Sequence, residues 1–177
     1  MNQTRIDIKR LFIVLFFATI AVVIASVTIG QDIYQSGEKS VLTFAIVNFT
    51  GYLVVFLFMP VELAFIVYLR SGYDPMILNL VAIATAFASQ VVDYLIGYFL
   101  SAGIIDRMIG RKRYEKAEDE IRKYGNWALL VTNILPLSSP ITSLAAGMLK
   151  YRVKESVFYS LIGIVLRYFM LTLIFLR

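Results

Sequence analysis

Residues Trp127–Leu149 read WALLVTNILPLSSPITSLAAGML, and this stretch decides the fold. Its 23 residues carry no charge, so they are apolar enough to enter a membrane. Pro136 and Pro140 interrupt it near the middle, where a continuous helix would lose backbone hydrogen bonds. The stretch is too short for two full crossings, which need about 40 residues. We therefore predict that it enters the bilayer, turns at the prolines and returns to the same side.

An earlier stretch, Val41–Leu69, has the same pattern. Its 29 residues are apolar apart from Glu62, and Pro60 breaks it two residues before that glutamate. A non-helical turn at membrane depth is tolerated only where it is buried in protein or lines a wet cavity. Two such turns therefore predict a site between them.

Three unbroken apolar segments complete the pattern. Leu11–Ile29 contains no charge, while Met76–Leu100 and Val157–Leu176 contain one each. The 177-residue chain is 59% hydrophobic with a mean hydropathy of +0.77, whereas soluble domains are about 45–50% apolar. Leu11–Ile29 is longer than the usual signal-peptide core, so we interpret it as a retained helix. These segments predict an all-α membrane protein.

The basic residues predict the orientation of the segments. Seven of the 17 lysines and arginines lie within 101–126, three within the first ten residues, and three within 150–154. Because cytoplasmic loops are enriched in Lys and Arg, we expect all three groups and the N-terminus to be cytoplasmic. Re-entrant turns that enter from opposite sides satisfy this condition. We expect the helix Arg107–Lys123 to lie on anionic lipid, and its apolar flanks argue against nucleic acid as a partner.

The same reasoning divides the chain into two parts. Residues 1–40 are predicted to be a transmembrane helix with an external loop, and residues 41–177 to be one membrane domain. This domain comprises a first half (41–100), the basic cytoplasmic helix (101–126) and a second half (127–177). Inverted repeats with broken helices at the midplane are the plan of many secondary transporters. The small residues of Ala82–Ala88 would allow close packing within the chain or in a homo-oligomer.

Composition excludes several kinds of chemistry. The chain has no cysteine and no histidine, which rules out disulfides, thiolate and imidazole catalysis, and Cys/His metal sites. We therefore predict no metal, no cofactor and no enzymatic activity. An intramembrane hydrolase that uses Glu62 and Asp93 as a carboxylate pair is an open alternative that no motif supports.

Three ionisable side chains inside apolar segments form the candidate site: Glu62, Asp93 and Arg167. Charges at membrane depth are costly, so each is a functional hypothesis by default. Burial of Glu62 would favour its protonated form, which suits proton coupling; anchoring at a hydrated hairpin mouth is the alternative. Arg167 needs a partner, and Asp93 holds the equivalent place in the first half, so we predict an ion pair between them. Arginine also suits phosphate, because its planar fork binds two oxygens.

A further group of polar, proline and glycine residues surrounds the two breaks. Their side chains are predicted either to line a cavity between the hairpins or to satisfy backbone groups that the breaks free. The group comprises Pro60, Asn133, Pro136, Ser138, Ser139, Pro140, Thr142 and Gly147.

Several short motifs recur in order from about Val41 onward. They are Met59-Pro60-Val61-Glu62, Asp93-Tyr94-Leu95-Ile96-Gly97-Tyr98, Lys123-Tyr124-Gly125, Leu135-Pro136, Ala145-Ala146-Gly147 and Gly163. With these motifs the chain resembles the DedA superfamily, also called VTT or SNARE-associated Golgi protein domains. The resemblance implies two opposed re-entrant hairpins and translocation of phospholipid or polyprenyl phosphate, with proton coupling, in a prokaryotic plasma membrane. It also implies an acidic site at Glu62 and Asp93.

The chain departs from the family pattern at the second hairpin. Typical members carry arginines around its proline, where this chain has Asn133 and Ser139. The run Gly163–Tyr168 resembles the YqaA-like branch, which has an arginine–tyrosine pair there, and we expect Arg167 to replace the missing cations. The predicted function is a lipid transporter of the flippase or scramblase type. The alternative is a non-transporting scaffold that acts in membrane homeostasis.

Overall fold

The computed structural model describes residues 40–53, 61–99, 110–135 and 139–176. This part of the chain folds into seven α-helices and contains no β-strand, which confirms the all-α prediction. The predicted helix Leu11–Ile29 lies outside the described residues, as do Pro60, Pro136 and Ser138.

The first broken stretch forms two short helices, α1 (Val41–Gly51) and α2 (Val61–Arg70). Phe44, near the start of α1, packs on Phe65 at the middle of α2 and on Tyr68 near its end, with ring centroids 6.1 and 5.3 Å apart. At the opposite ends, the Tyr52 hydroxyl just after α1 donates to Glu62 Oε1 near the start of α2. The two helices therefore lie side by side and antiparallel.

The long helix α3 (Pro75–Phe99) follows directly. Asp74 begins it by accepting hydrogen bonds from the amides of Met76 and Ile77, both at 2.9 Å, which satisfies donors that have no partner inside the helix. With 25 residues, α3 is long and apolar enough to cross a membrane.

The basic segment forms α4 (Arg111–Tyr124), and the second broken stretch forms α5 (Asn126–Ile134) and α6 (Ser139–Met148). Only Ala117 and Ile121 of α4 are buried, so its charged residues face outward. The Tyr151 hydroxyl, just after α6, donates to Asn126 Oδ1 at the start of α5 at 2.5 Å. This contact makes α5 and α6 a second antiparallel pair. Pro140, predicted as part of the break, instead lies in the first turn of α6, where its missing N–H is not needed.

The last helix, α7 (Val153–Phe175), is the second one of sufficient length and hydropathy to span a membrane. The first helix of each short pair packs on the long helix of its own half, α1 on α3 and α5 on α7. The second helix of each pair packs on the long helix of the other half, α2 on α7 and α6 on α3. The two halves are therefore interlocked, and the basic helix α4 covers α5 and α6.

Glycines permit the closest of these helix contacts. A Cβ at Gly97 of α3 would lie 2.0 Å from the Leu144 carbonyl oxygen, and one at Gly147 of α6 would lie 2.0 Å from the Tyr94 carbonyl oxygen. The two backbones are therefore in mutual contact at this crossing. Gly147, predicted to belong to a hairpin or cavity, is a packing residue of the second pair.

Candidate functional site at the two helix breaks

Arg167 lies near the middle of α7 with only 3% of its side chain exposed. Its Nη1 donates to the Tyr52 hydroxyl at 2.6 Å and lies 3.4 Å from Glu62 Oε1. The Tyr52 hydroxyl in turn donates to Glu62 Oε1 at 2.9 Å. A single tyrosine hydroxyl therefore bridges the cation of α7 and the carboxylate of α2, next to the first break.

The other side of the guanidinium reaches the second break. Nη2 donates to the carbonyl oxygens of Thr132 and Leu135, at 3.3 and 3.1 Å, and lies 3.5 Å from Ser139 Oγ. Residue 136, which would normally donate to the Thr132 carbonyl in a continuous helix, is a proline without an N–H. Arg167 supplies the donor that the proline removed.

These contacts correct the predicted pairing of Arg167. Its ion pair is with Glu62, not with Asp93. Asp93 is completely buried on α3, on the side of that helix where Gly97 meets α6, whereas Arg167 faces α2 and α5. Asp93 and Arg167, which hold equivalent positions in the two halves of the sequence, therefore do not face each other. Glu62 is 20% exposed and lies beside the Arg167 guanidinium, and its predicted part in proton coupling stays a prediction.

The family model of the VTT domain matches residues 39–176. The chain belongs to the VTT domain family. This is the DedA or SNARE-associated Golgi protein family, whose members are often proposed to be transporters or flippases. No curated protein and no solved structure gives a significant match to the chain. Placement in the YqaA-like branch stays a prediction.

Asn133 of this VTT domain belongs to a separate buried network. Gln90 Nε2 of α3 donates to Asn133 Oδ1, and Asn133 Nδ2 donates to the Leu129 carbonyl at 2.8 Å and to Ser160 Oγ at 3.3 Å. Ser143 Oγ of α6 lies 3.4 Å from Gln90 Oε1. The network joins four helices and fully occupies the amide of Asn133, which indicates a structural role. Ser139 and Thr142 are also buried at this end of α6.

A third buried polar contact joins the first half of the VTT domain to α7. The Tyr168 hydroxyl donates to Asn48 Oδ1 at 2.9 Å, and Asn48 Nδ2 donates to the Ala82 carbonyl at 3.1 Å and Thr85 Oγ1 at 2.8 Å. Sequence reasoning missed Asn48 as well as Tyr52 and Gln90. The available signal was the same in each case, a hydrogen-bonding side chain within an apolar segment.

Proposed function

We propose that this VTT domain is an integral membrane lipid transporter of the flippase or scramblase type. Its cargo would be a phospholipid or a polyprenyl phosphate. The observation that carries the proposal is the position of Arg167, which joins both helix breaks in one buried polar cluster. A headgroup that crosses a bilayer needs polar partners at depth, and a guanidinium binds phosphate oxygens well.

Helix lengths support opposed re-entrant hairpins. The four short helices have 9 to 11 residues, so each is about 14–17 Å long. The hydrocarbon core is about 30 Å thick, so a single short helix reaches about halfway. Antiparallel pairing then returns the chain to the side from which it entered, while α3 and α7 are long enough to cross.

The contacts of Arg167 support a mechanism of exchange. Its Nε is buried and has no hydrogen-bond partner among the described residues, so the guanidinium retains a donor for a ligand. A phosphate that reaches this group would compete with Glu62 for it. Proton coupling through Glu62 stays a prediction. Because the same guanidinium holds the Thr132 and Leu135 carbonyls, the exchange would also loosen the second break.

A flux assay tests the proposal. The full chain is reconstituted in liposomes that carry a fluorescent phospholipid in both leaflets, and a membrane-impermeant reductant bleaches the outer leaflet. We expect the wild type to expose the inner-leaflet lipid, Arg167→Ala to abolish this flux, and Arg167→Lys to retain part of it. Arg152→Ala removes an exposed cation from the start of α7 and should have no effect. Full flux in a folded Arg167→Ala protein would refute the proposal, while lipid binding without flux would favour a scaffold.

Cysteine labelling tests the re-entrant geometry, since the chain has no cysteine of its own. Single substitutions Ser71→Cys, Lys112→Cys and Lys150→Cys are treated with a maleimide that cannot cross membranes, first in sealed cells and then in permeabilised cells. We expect residue 71 to react in sealed cells, and residues 112 and 150, on the cytoplasmic side, to react only after permeabilisation. Reaction of 112 and 150 from opposite sides would contradict the re-entrant second pair.

A further inference from the structure

A hollow of about 420 Å³ lies between the basic helix α4 and α5. We call it the α4–α5 groove. Its wall includes Lys116, Glu120, Trp127, Val131, Thr132 and Leu135. It is charged along α4, apolar along α5, and ends at the second helix break.

The inner end of the groove touches the candidate transport site. Thr132 and Leu135 line the groove, and their carbonyl oxygens accept the hydrogen bonds from Arg167. The outer end continues into a second hollow on the charged face of α4, which shares Lys116 and Glu120. A continuous surface therefore leads from the exposed face of α4 to the break.

The charges at the outer end are of both signs and are not paired with each other. Lys116 and Glu120 are one helical turn apart, a spacing that often forms an ion pair. Two such pairs on α4 do form, Arg111–Glu115 at 2.6 Å and Arg122–Glu118 at 2.7 Å. Within the described part of the chain, the ion pairs include neither Lys116 nor Glu120. A cation and an anion are therefore both available on one wall.

The aromatic wall fits the boundary between water and lipid. Trp127 is 67% exposed and Tyr124 is 53% exposed. Tryptophan and tyrosine are enriched at this boundary, because their rings have an apolar body and a polar edge. The exposed Val131 and Leu135 extend the apolar wall towards the break.

We propose that the α4–α5 groove binds a zwitterionic phospholipid with a primary ammonium headgroup, such as phosphatidylethanolamine. The phosphate lies on Lys116, the ammonium on Glu120, and an acyl chain along Trp127 and Val131. An anionic headgroup without an ammonium leaves Glu120 unpaired and adds repulsion. The claim that the groove is the entrance to the Arg167 site rests on the proposed transport function. The claim that the groove binds lipid depends only on the residues that line it.

Trp127 provides the assay, because it is the only tryptophan in the chain. The full-length protein is reconstituted in bilayers that mix phosphatidylethanolamine and phosphatidylglycerol, with bromine on the acyl chains of one lipid at a time. Quenching of Trp127 then reports which lipid occupies the groove. Exposed ion pairs contribute about 0.2–1 kcal/mol, so we expect up to about fivefold preference for phosphatidylethanolamine. Glu120→Gln should reduce the ratio of phosphatidylethanolamine to phosphatidylglycerol binding to about one.

Glu118→Gln is the matched control, with the same charge change on the same helix but outside both hollows. It should keep the wild-type preference. Equal quenching by both lipids in the wild type, or a preference that Glu120→Gln leaves unchanged, would overturn the proposal. If Trp127 quenching shows the phosphatidylethanolamine preference but the liposome assay shows no flux, the lipid site holds and the transport function is refuted. If flux depends on Arg167 but Trp127 quenching shows no lipid preference, the transport function holds and the lipid site is refuted.

Discussion

Replacing Gly147 with alanine should destabilise the protein, although alanine is the better helix former. Propensity alone favours the substitution by about 1 kcal/mol. The new Cβ, however, would lie 2.0 Å from the Tyr94 carbonyl oxygen and 2.9 Å from the Tyr98 amide nitrogen. Both are backbone atoms, so no side-chain rotation relieves the clash. Ordinary contact begins at 3.4 Å, so α3 and α6 would have to move apart by about 1.4 Å.

Overpacking of this kind costs about 1–3 kcal/mol, and a clash between two backbones belongs at the upper end. After the gain in helix propensity, we expect a net loss of about 2 kcal/mol. For a chain of this size, that loss corresponds to a fall in Tm of about 4–8 °C. The measurement is thermal unfolding of the full chain in detergent, followed by its helical circular dichroism.

A double-mutant cycle tests the physical reason. Gly97→Ala creates the reciprocal clash, with Leu144, at the same crossing. One separation of the helices relieves both clashes, so the double variant should lose less stability than the two single variants together. Gly72→Ala is the comparison, because it strains a backbone with φ of 88° and has no atom within 4 Å of its Cβ. An unchanged or higher Tm for Gly147→Ala would refute the close crossing.

Two further predictions concern buried and exposed hydrogen bonds. Gln90→Leu should lower the free energy of unfolding by about 1–3 kcal/mol, because it leaves Asn133 Oδ1 buried without its donor; an unchanged denaturation midpoint would contradict this. Hydrogen bonds from Tyr114 and Arg122 lower the pKa of Glu118 below its usual 4.5. The resulting stabilisation is present above pH 4.5 and is lost as the pH falls through the lowered pKa. Acid titration of the helical signal in the wild type and Glu118→Gln checks this, and superimposable curves would count against it.

Sequence reasoning located the helix breaks because their causes are local. Pro60 and Pro136 remove backbone donors within apolar stretches, and the loss is visible in the sequence itself. Pro140 was misassigned because a proline that breaks a helix and a proline that begins one look alike without the neighbouring backbone angles. The Ala145-Ala146-Gly147 motif was noticed, but its packing role depends on which helix approaches it.

The sequence pattern does not predict the partner of Arg167. Matching the two halves pointed to Asp93, yet α2 rather than α3 presents its carboxylate to α7. Tyr52, which bridges the pair, lies in the turn after α1, where no periodic pattern predicts the direction of a side chain. Such contacts depend on how the short helices cross the long ones, and no spacing in one chain specifies that crossing.

The place of Arg167 in the order of synthesis has a consequence for assembly. Its partners are made first, Glu62 105 residues earlier and Thr132 35 residues earlier. Until α7 has been made and packed, the Glu62 carboxylate lacks its counter-ion and the Thr132 carbonyl oxygen lacks its donor. Both groups must stay hydrated or be shielded by other proteins during that interval. A chain that ended before α7 would therefore leave the polar groups at both helix breaks without the guanidinium that joins them.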